Sequence, residues 1–181
     1  MSSTTLFDLG DVAVRKFRPD NADLTSLIHS ANDTQVATYM TGLFPSPYTQ
    51  RDALGFVYRC TEDKPSNFAI VDTATDAVIG CIGLKHFDDI YIHRKELGYW
   101  LASTHWGRGI MARVAKSFCQ WAFEEYPDLQ CIQAKAMCKN IQSTRVMEKA
   151  GFTFDGRLRG GVIKNGVTTD EMVYSVLKGE I

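Results

Sequence analysis

The sequence predicts one α/β (α+β) domain. Segments with strand character alternate with segments of helical spacing, and no internal repeat, low-complexity segment or linker divides the chain. The length of 181 residues, with 45% hydrophobic and 23% charged residues, suits one globular domain with a sizeable core. We therefore expect a single domain over residues 1–181.

The first half of the chain has strands at both ends and helices between them. Residues 12–18, "VAVRKFR", alternate well enough for an edge strand, which Pro19 ends. Residues 21–40 and 49–62 have helical spacing, and the loop "TGLFPSPYT", with two prolines, separates them. The stretch "NFAIVDTATDAVIGCIGL" predicts two strands joined by a hairpin turn at residues 72–76.

The second half alternates strands and helices before a final hairpin. "ELGYWLAS" predicts a strand, and apolar residues then recur at helical spacing over about 108–125. Residues 129–137, "LQCIQAKAM", predict a further strand. A short helix over 142–150 ends at Gly151, a residue suited to the left-handed cap position. The pair Asn165-Gly166 is the strongest hairpin turn signal in the chain.

Charge and cysteine usage exclude several classes of partner. The formal net charge of −1 provides no basic footprint for nucleic acid. The five cysteines are odd in number and contain no Cys-x-x-Cys pair, which favours reduced thiols in a cytoplasmic protein. The N-terminal "MSSTTLFDLGD" lacks the features of a signal peptide, and no apolar run approaches the ~18 residues that span a bilayer. We expect neither a nucleic-acid nor a membrane partner.

The histidines and serines form no familiar metal or hydrolase motif. His29, His86, His93 and His105 have no metal-ligand spacing among themselves or with the cysteines, so we expect no metal. The chain has no Gly-x-Ser-x-Gly elbow, which argues against serine-hydrolase chemistry.

The tripeptide Gly107-Arg108-Gly109 is the first motif that bears on chemistry. It lies between a predicted strand and a predicted helix, where amides at the helix start favour an anion and absent Cβ atoms let a phosphate approach the backbone. The segment lacks Gly-x-x-x-x-Gly-Lys-Ser/Thr and the third glycine of a dinucleotide fingerprint. Taken alone, the motif fits a tight turn as well as a phosphate loop.

A second stretch, "NIQSTRVMEKAGF" at residues 140–152, narrows the choice. The order of elements resembles the GNAT superfamily of acetyl-CoA-dependent N-acetyltransferases. That order is a strand, a Gly-x-Gly helix start, a further strand, and then Asn-x-x-Ser followed by Glu-Lys-x-Gly-Phe. Within it, the chain is most similar to the branch that acetylates the N-termini of ribosomal proteins. The other similar segments are "VAVRKFRPDNA", "FPSPYTQRDA", "ELGYWLASTHWGRGIMA" and "NGVTTDEMVYSVL".

The resemblance covers residues 12–177 and implies a fold and a co-substrate. The implied fold is that of the acyl-CoA N-acyltransferases, a single mixed, mostly antiparallel central sheet flanked by helices. Acetyl-CoA would be the co-substrate. The backbone at the strand end would contact the pantetheine and supply an oxyanion donor, and the loop amides would hold the pyrophosphate. The short helix would lie beside the CoA sulfur. The residues so implied are Trp100, Leu101, Ala102, Trp106, Gly107, Arg108, Gly109, Ile110, Met111, Ala112, Asn140, Ser143 and Met147.

Some positions depart from the superfamily pattern or have a second interpretation. Trp106 and Met111 stand where the phosphate loop commonly starts with Gln or Arg and ends in Gly or Ala. Arg108, Arg113 and Lys116 would add diffuse attraction for the phosphates, although a solvated helix face also explains the last two.

Two residues are candidates for the proton transfers. Many members have a tyrosine acid seven residues after the asparagine; here that residue is Met147, whose thioether cannot donate a proton. The resemblance implies Ser143 as the acid and Glu96 as a carboxylate base. The structural alternative for Ser143 is a serine at a helix start that hydrogen-bonds the backbone. The alternative for Glu96 is an exposed charge at the end of a strand. Asn140 is a helix cap, a pantetheine contact, or both.

The acceptor is predicted to be a primary amine. A peptide α-amine has a pKa of about 7.7–8.0, so about a tenth or more is neutral at pH 7, whereas a lysine amine of pKa about 10.4 is almost fully charged. This favours an N-terminal α-amine, with "MTGLFPSPYT" and the final hairpin as the acceptor pocket. The alternatives are a polyamine or other small amine, and a non-catalytic acyl-CoA-binding module. The assembly would be a monomer or a homodimer.

Overall fold

The computed structural model describes residues 5–61 and 65–181. This part of the chain forms five α-helices and eight β-strands. The helices are α1 (Asn21–Ala31), α2 (Thr34–Tyr39), α3 (Gln50–Cys60), α4 (Ile110–Glu125) and α5 (Ile141–Lys149). The strands are β1 (Thr5–Asp8), β2 (Val12–Arg15), β3 (Asn67–Asp72), β4 (Val78–His86), β5 (Arg94–Leu101), β6 (Cys131–Met137), β7 (Thr153–Lys164) and β8 (Val167–Leu177).

The strand order confirms the predicted fold class. Hydrogen bonds connect the strands in the order β1-β2-β3-β4-β5-β6-β8-β7. The β1–β2, β2–β3, β3–β4, β6–β8 and β7–β8 pairs are antiparallel, whereas β5 and β6 are parallel. A parallel pair needs a crossover connection, and α4 provides it. The sheet is therefore mixed and mostly antiparallel.

The chain divides into two compact units. The first contains the residues up to Gly83 together with Tyr99–Ile110, and the second contains Leu84–Gly98 together with Met111–Ile181. In the first unit α1 packs against α3, and both helices share a hydrophobic core with the strands. That core includes Phe17, Leu24, Leu27, Val57, Val71 and Trp100. The assignment of residues 1–181 to one domain stays a prediction.

The predicted edge strand at residues 12–18 is wrong in one respect. A further strand, β1, pairs with β2 on its outer side, with Phe7 opposite Val14. β2 ends at Arg15 and all four of its residues are buried, so it lies inside the sheet. The four residues of β1 are only half-buried or exposed, and such a short strand lacks a hydrophobic pattern that a sequence reading can detect.

The helical segment predicted over residues 21–40 is two helices. It breaks at Asn32-Asp33, where the Asp33 side chain accepts a hydrogen bond of 2.8 Å from the Gln35 amide and caps α2. The next predicted helix, over 49–62, is α3, which Thr49 caps at its start. Glu62, at its predicted end, lies outside the described residues. Asp and Asn compete with the helical backbone for hydrogen bonds, which explains the break.

A buried ion network ties β2 to α1 in the first unit. The Arg15 guanidinium donates two hydrogen bonds to Asp23, of 2.7 and 2.6 Å, and Arg18 donates to the same carboxylate at 2.8 Å. Arg15 and Asp23 are 4% and 0% exposed. Asp76, at the β3–β4 turn, extends the network by accepting from Arg18 at 2.7 Å. The buried charges of Arg15 and Asp23 are thus paired and hydrogen-bonded, and the network extends to the more exposed Arg18 and Asp76.

The second unit has the strand order β5-β6-β8-β7, and the two faces of β6 differ in burial. Ile132, Ala134 and Ala136 are buried, whereas the residues between them are half-buried. Helix α5 contacts β6 and β7. The predicted hairpin turn is confirmed, because Asn165 and Gly166 both have positive φ, 51° and 75°, as a type I′ turn requires.

Candidate active site

The segment that follows β5 forms a glycine turn before a long helix. β5 ends at Leu101, a single 3-10 turn covers Ser103–His105, and α4 begins at Ile110. Gly107 and Gly109 have φ values of 76° and 70°, and a Cβ built on either would meet no atom within 4 Å. The glycines are therefore required by the backbone conformation and not by packing, and they leave open space above the loop.

Hydrogen bonds anchor this loop within the first unit. The Ser103 amide donates to Asp33 Oδ2 at 3.0 Å, and Trp106 Nε1 donates to the Leu101 carbonyl at 2.7 Å. Burial alone would raise the pKa of Asp33, but the hydrogen bonds from Ser103, Gln35 and Val36 together outweigh it and lower that pKa. The loop is therefore held in place by the side chain of Asp33, the cap of α2, and by the indole of Trp106.

The strand end before the loop is packed in the first unit. Trp100, Leu101 and Ala102 are all buried, and the Trp100 ring lies 5.8 Å from the Phe44 ring. The Ala102 amide donates to the Ile79 carbonyl at 2.8 Å, which removes it from the candidates for an oxyanion donor. A Cβ on Gly80 would come within 2.5 Å of the Trp100 carbonyl oxygen, so glycine is needed for this close strand approach.

The start of α4 is fixed by its buried side chains. Ile110 belongs to the first unit, whereas Met111 and Ala112 belong to the second; all three side chains are buried. Arg108, Arg113 and Lys116 are exposed. The first amides of a helix have no carbonyl four residues back inside the helix, and the helix dipole adds partial positive charge there. This end of α4, preceded by two glycines, suits an anion such as a pyrophosphate.

Helix α5 carries the other predicted cofactor residues. Asn140 caps it, with Oδ1 accepting from the Ser143 amide at 3.2 Å, so the predicted capping role is confirmed. Ser143 lies in the first turn and is half-buried. Met147, in the next turn, is 1% exposed and belongs to the packed interior of the second unit. The predicted C-terminal cap is also observed: Gly151 has a φ of 97°.

Glu96 lies in the third position of β5 and is engaged in an ion pair. Its Oε2 lies 3.0 Å from Lys135 Nζ on β6, and the two side chains are 24% and 28% exposed. It is therefore neither fully buried nor a free charge at a strand end. The adjacent Lys95 takes the opposite face, where it lies 2.5 Å from His86 Nδ1 and over the Tyr126 ring. Burial lowers the pKa of this lysine.

Sequence reasoning missed two residues close to Glu96, namely Lys135 and Glu171. Glu171, on β8, is half-buried, and its electrostatic partners are Lys135 and Glu96. Burial is the largest influence on the pKa of Glu171 and raises it; Lys135 lowers it and Glu96 raises it further. No local signal could have placed these residues together, because the cluster depends on the order β5-β6-β8.

The described residues provide neither a metal-binding cluster nor a membrane-spanning helix. In residues 5–61 and 65–181, no group of three or more His, Cys, Asp or Glu side chains is arranged to hold a metal ion. Within the same ranges, none of the helices combines the length and apolar character needed to cross a bilayer.

The family follows from comparison with known proteins. The model of the acetyltransferase (GNAT) domain matches residues 11–153, and the chain belongs to this family. It is 34% identical over 119 residues to "Probable N-acetyltransferase YjcK" of Bacillus subtilis (strain 168), covering 66% of this chain and 65% of that protein. It is 28% identical over 174 residues to "Uncharacterized N-acetyltransferase p20" of Bacillus licheniformis, covering 93% and 94%. It is 26% identical over 100 residues to the "Ribosomal-protein-serine acetyltransferase" of Escherichia coli (strain K12), covering 55% of each.

Solved structures confirm the acyl-CoA N-acyltransferase fold. The ribosomal-protein-S5-alanine acetyltransferase from Vibrio fischeri has a TM-score of 0.78 at 22% identity, with 98% of both chains covered. The spermidine N-acetyltransferase from Vibrio cholerae, solved in complex with CoA and spermine, has a TM-score of 0.74 at 20% identity, with 94% of this chain and 97% of that chain covered. At these identities the likeness concerns the fold alone.

Proposed function

We propose that this protein transfers an acetyl group from acetyl-CoA to a primary amine, and that the amine is the N-terminal α-amine of a protein such as a ribosomal protein. The observation that carries the proposal is the pair of positive-φ glycines between β5 and α4, in a chain that the GNAT model matches over residues 11–153. Open space above both glycines suits the close approach of a phosphate to the backbone.

Each segment has a proposed role toward acetyl-CoA. The backbone of Trp106–Ala112 binds the pyrophosphate, with the exposed Arg108 adding attraction. The backbone of Trp100 and Leu101 contacts the pantetheine arm. Asn140 serves as the cap of α5 and also contacts the pantetheine arm through its side-chain amide. Met147, one turn after Ser143, is buried in the interior.

The reaction needs two proton transfers. The neutral amine attacks the thioester carbonyl, so that an N–C bond forms and the C–S bond breaks after a charged oxygen has been stabilised by a backbone amide. The ammonium proton goes to a carboxylate, and the departing sulfur takes a proton from the Ser143 hydroxyl, which regains one from water. Met147 occupies the position of the usual tyrosine acid and cannot replace it.

The choice of acceptor is supported from two directions. The E. coli relative is by name a ribosomal-protein-serine acetyltransferase, and the Vibrio fischeri structure is a ribosomal-protein-S5-alanine acetyltransferase. An α-amine also needs less help to lose its proton than a lysine does. A polyamine is the second candidate, because Glu96 and Glu171 place two carboxylates on one sheet face, which suits a polycation.

An acceptor panel tests the proposal directly. Purified protein is supplied with acetyl-CoA and with peptides that begin with Ala, Ser or Met, with spermidine, or with free amino acids, and released thiol is followed. We expect thiol release with one or more of the peptides. Release with spermidine alone would support the polyamine candidate. Tight CoA binding without acceptor-dependent release across the whole panel would identify a binding module instead.

The Ser143→Ala variant is expected to lower kcat by about 10- to 100-fold. This is at or below the lower end of the roughly 100- to 10,000-fold typical of general acid catalysis, because a thiolate is a fair leaving group even without a proton. CoA affinity should change by less than about twofold, since the Ser143 amide keeps its bond to Asn140. The measurements are kcat by thiol release and Kd by calorimetry. Ser143→Thr, which retains a hydroxyl, is the control and should recover part of the rate; an unchanged kcat in Ser143→Ala would show that water protonates the thiolate.

A further inference from the structure

We propose that Glu171, and not Glu96, is the general base that removes the proton from the acceptor amine. The inference rests on the proposed function and assigns a catalytic residue that the sequence did not suggest.

The strand register places three charged residues on one face of the sheet in the second unit. Glu96 is opposite Gln133 in the β5–β6 pair, and Lys135 lies two residues further along β6. In the β6–β8 pair Glu171 is opposite Met137. Residues that differ by two in a strand point to the same side, so Glu96, Lys135 and Glu171 share this face. It is the half-buried face of β6.

The two carboxylates have different partners. Glu96 forms a direct ion pair with Lys135, with 3.0 Å between Oε2 and Nζ. Protonation of Glu96 would leave the Lys135 ammonium without this ion-pair partner. Glu171 interacts with Lys135 electrostatically and is also repelled by Glu96. Burial is the largest influence on Glu171 and disfavours its charged form, so that the pKa of Glu171 is raised above its usual value of 4.5. Two carboxylates whose environments differ in this way are suited to different roles, Glu96 as the ion-pair partner of Lys135 and Glu171 as a proton acceptor.

The backbone next to Glu171 is shaped by a bulge in β7. The register between β7 and β8 shifts between Leu158 and Val162, and Gly160 within this bulge has a φ of 62°. The Gly160 amide donates to Asp170 Oδ1 at 2.7 Å, which holds the bulge in place. A Cβ on Gly161 would lie 3.1 Å from Glu171 Cβ, a tight contact, so β7 passes close to Glu171 at this glycine. Bulges of this kind re-aim side chains next to active sites.

The charged groups that act on the titration of Glu171 come from two strands. Glu96 on β5 and Lys135 on β6 are the charged ones. On β7 its neighbours are Leu158, which is opposite it in the register, and Gly161, neither of which titrates. In the reaction, the N–C bond forms as the amine attacks, the ammonium N–H bond breaks, and the proton moves to a Glu171 carboxylate oxygen. The proton later leaves to water.

The test compares Glu171→Gln with the matched variant Glu96→Gln, each carrying the same change from carboxylate to amide on the same face. With the best acceptor of the panel, we expect Glu171→Gln to lower kcat/KM about 100-fold at pH 7, and Glu96→Gln to lower it less than about 10-fold. The rising limb of the kcat/KM–pH profile should move to the pKa of the acceptor amine in Glu171→Gln alone. CoA Kd should be unchanged in both.

Several outcomes would overturn the assignment. An equal or larger loss in Glu96→Gln, or an unshifted pH profile in Glu171→Gln, would return the role of base to Glu96 or to water and would leave the proposed function intact. Absence of turnover with any amine in the wild-type protein would remove both proposals. Carboxyl ¹³C NMR of the wild-type protein supplies a readout without turnover: Glu171 must titrate above pH 4.5, and a lower value would contradict its role.

Discussion

The Gly109→Val variant is expected to bind CoA at least about 100-fold more weakly than the wild-type protein, equivalent to about 2.7 kcal/mol. Gly109 has a φ of 70° and open space above it, and the proposed pyrophosphate would occupy that space. A valine side chain would fill it and would also disfavour the left-handed backbone conformation. Hydrogen bonds from amides to a phosphate contribute about 1.5–3 kcal/mol each, so the loss of one or two accounts for this magnitude. Isothermal titration calorimetry with CoA provides the measurement.

The matched control is Gly10→Val. Gly10 is an exposed glycine of the same unit with a φ of 91°, and a Cβ there also meets no atom within 4 Å. Both variants should lose about 1–3 kcal/mol of stability through backbone strain, but only Gly109→Val should lose CoA affinity. Equal CoA Kd values for Gly109→Val and the wild-type protein would exclude the glycine turn as the pyrophosphate site.

The Asp23→Ala variant is expected to lose about 3–5 kcal/mol of the free energy of unfolding, because it leaves the buried Arg15 guanidinium without its bidentate partner. Such a loss is a large part of the stability of an average domain. Urea denaturation followed by circular dichroism measures it. If the alanine variant does not fold, Asp23→Asn, which keeps two polar atoms in place, should show a smaller loss of the same sign.

The control for the ion network is Asp76→Asn, which removes the charge of a partner that is 55% exposed on its side chain. Its φ of 55° suits asparagine, and the loss should be below about 1 kcal/mol. Similar losses in Asp23→Ala and Asp76→Asn would show that burial does not set the strength of the network.

The Asp23 contribution also predicts a pH dependence. Burial raises the pKa of Asp23, but the hydrogen bonds from Arg15 and Arg18 outweigh burial and lower it below 3.8. A lowered acid contributes stability that is fully present above the unfolded pKa and is lost as the pH falls through the folded pKa. The difference in unfolding free energy between the wild-type protein and Asp23→Asn should therefore be constant above about pH 5 and shrink as the pH falls below 3.8.

Local signals in the sequence predicted several features of the fold. Asn165-Gly166 predicted the final hairpin because both residues tolerate positive φ, and Gly151 predicted a helix end for the same reason. Hydrophobic spacing predicted α4, which starts at Ile110 within two residues of the expected start. Two features were not predicted. β1 has too few residues to show a hydrophobic periodicity, and Asp33 interrupts the predicted helix because its side chain caps the start of α2.

By itself, the sequence determined the glycine turn between β5 and α4, the Asn140 cap of α5 and the family to which the chain belongs. The turn and the cap depend on backbone dihedrals and on hydrogen bonds between residues two to four apart, which local composition specifies. Only the tertiary structure decided that Lys135 pairs with Glu96 and that Glu171 completes the cluster. The physical reason is that strand order and register bring together residues that are distant along the chain, and one-residue shifts in register would send each side chain to the other face.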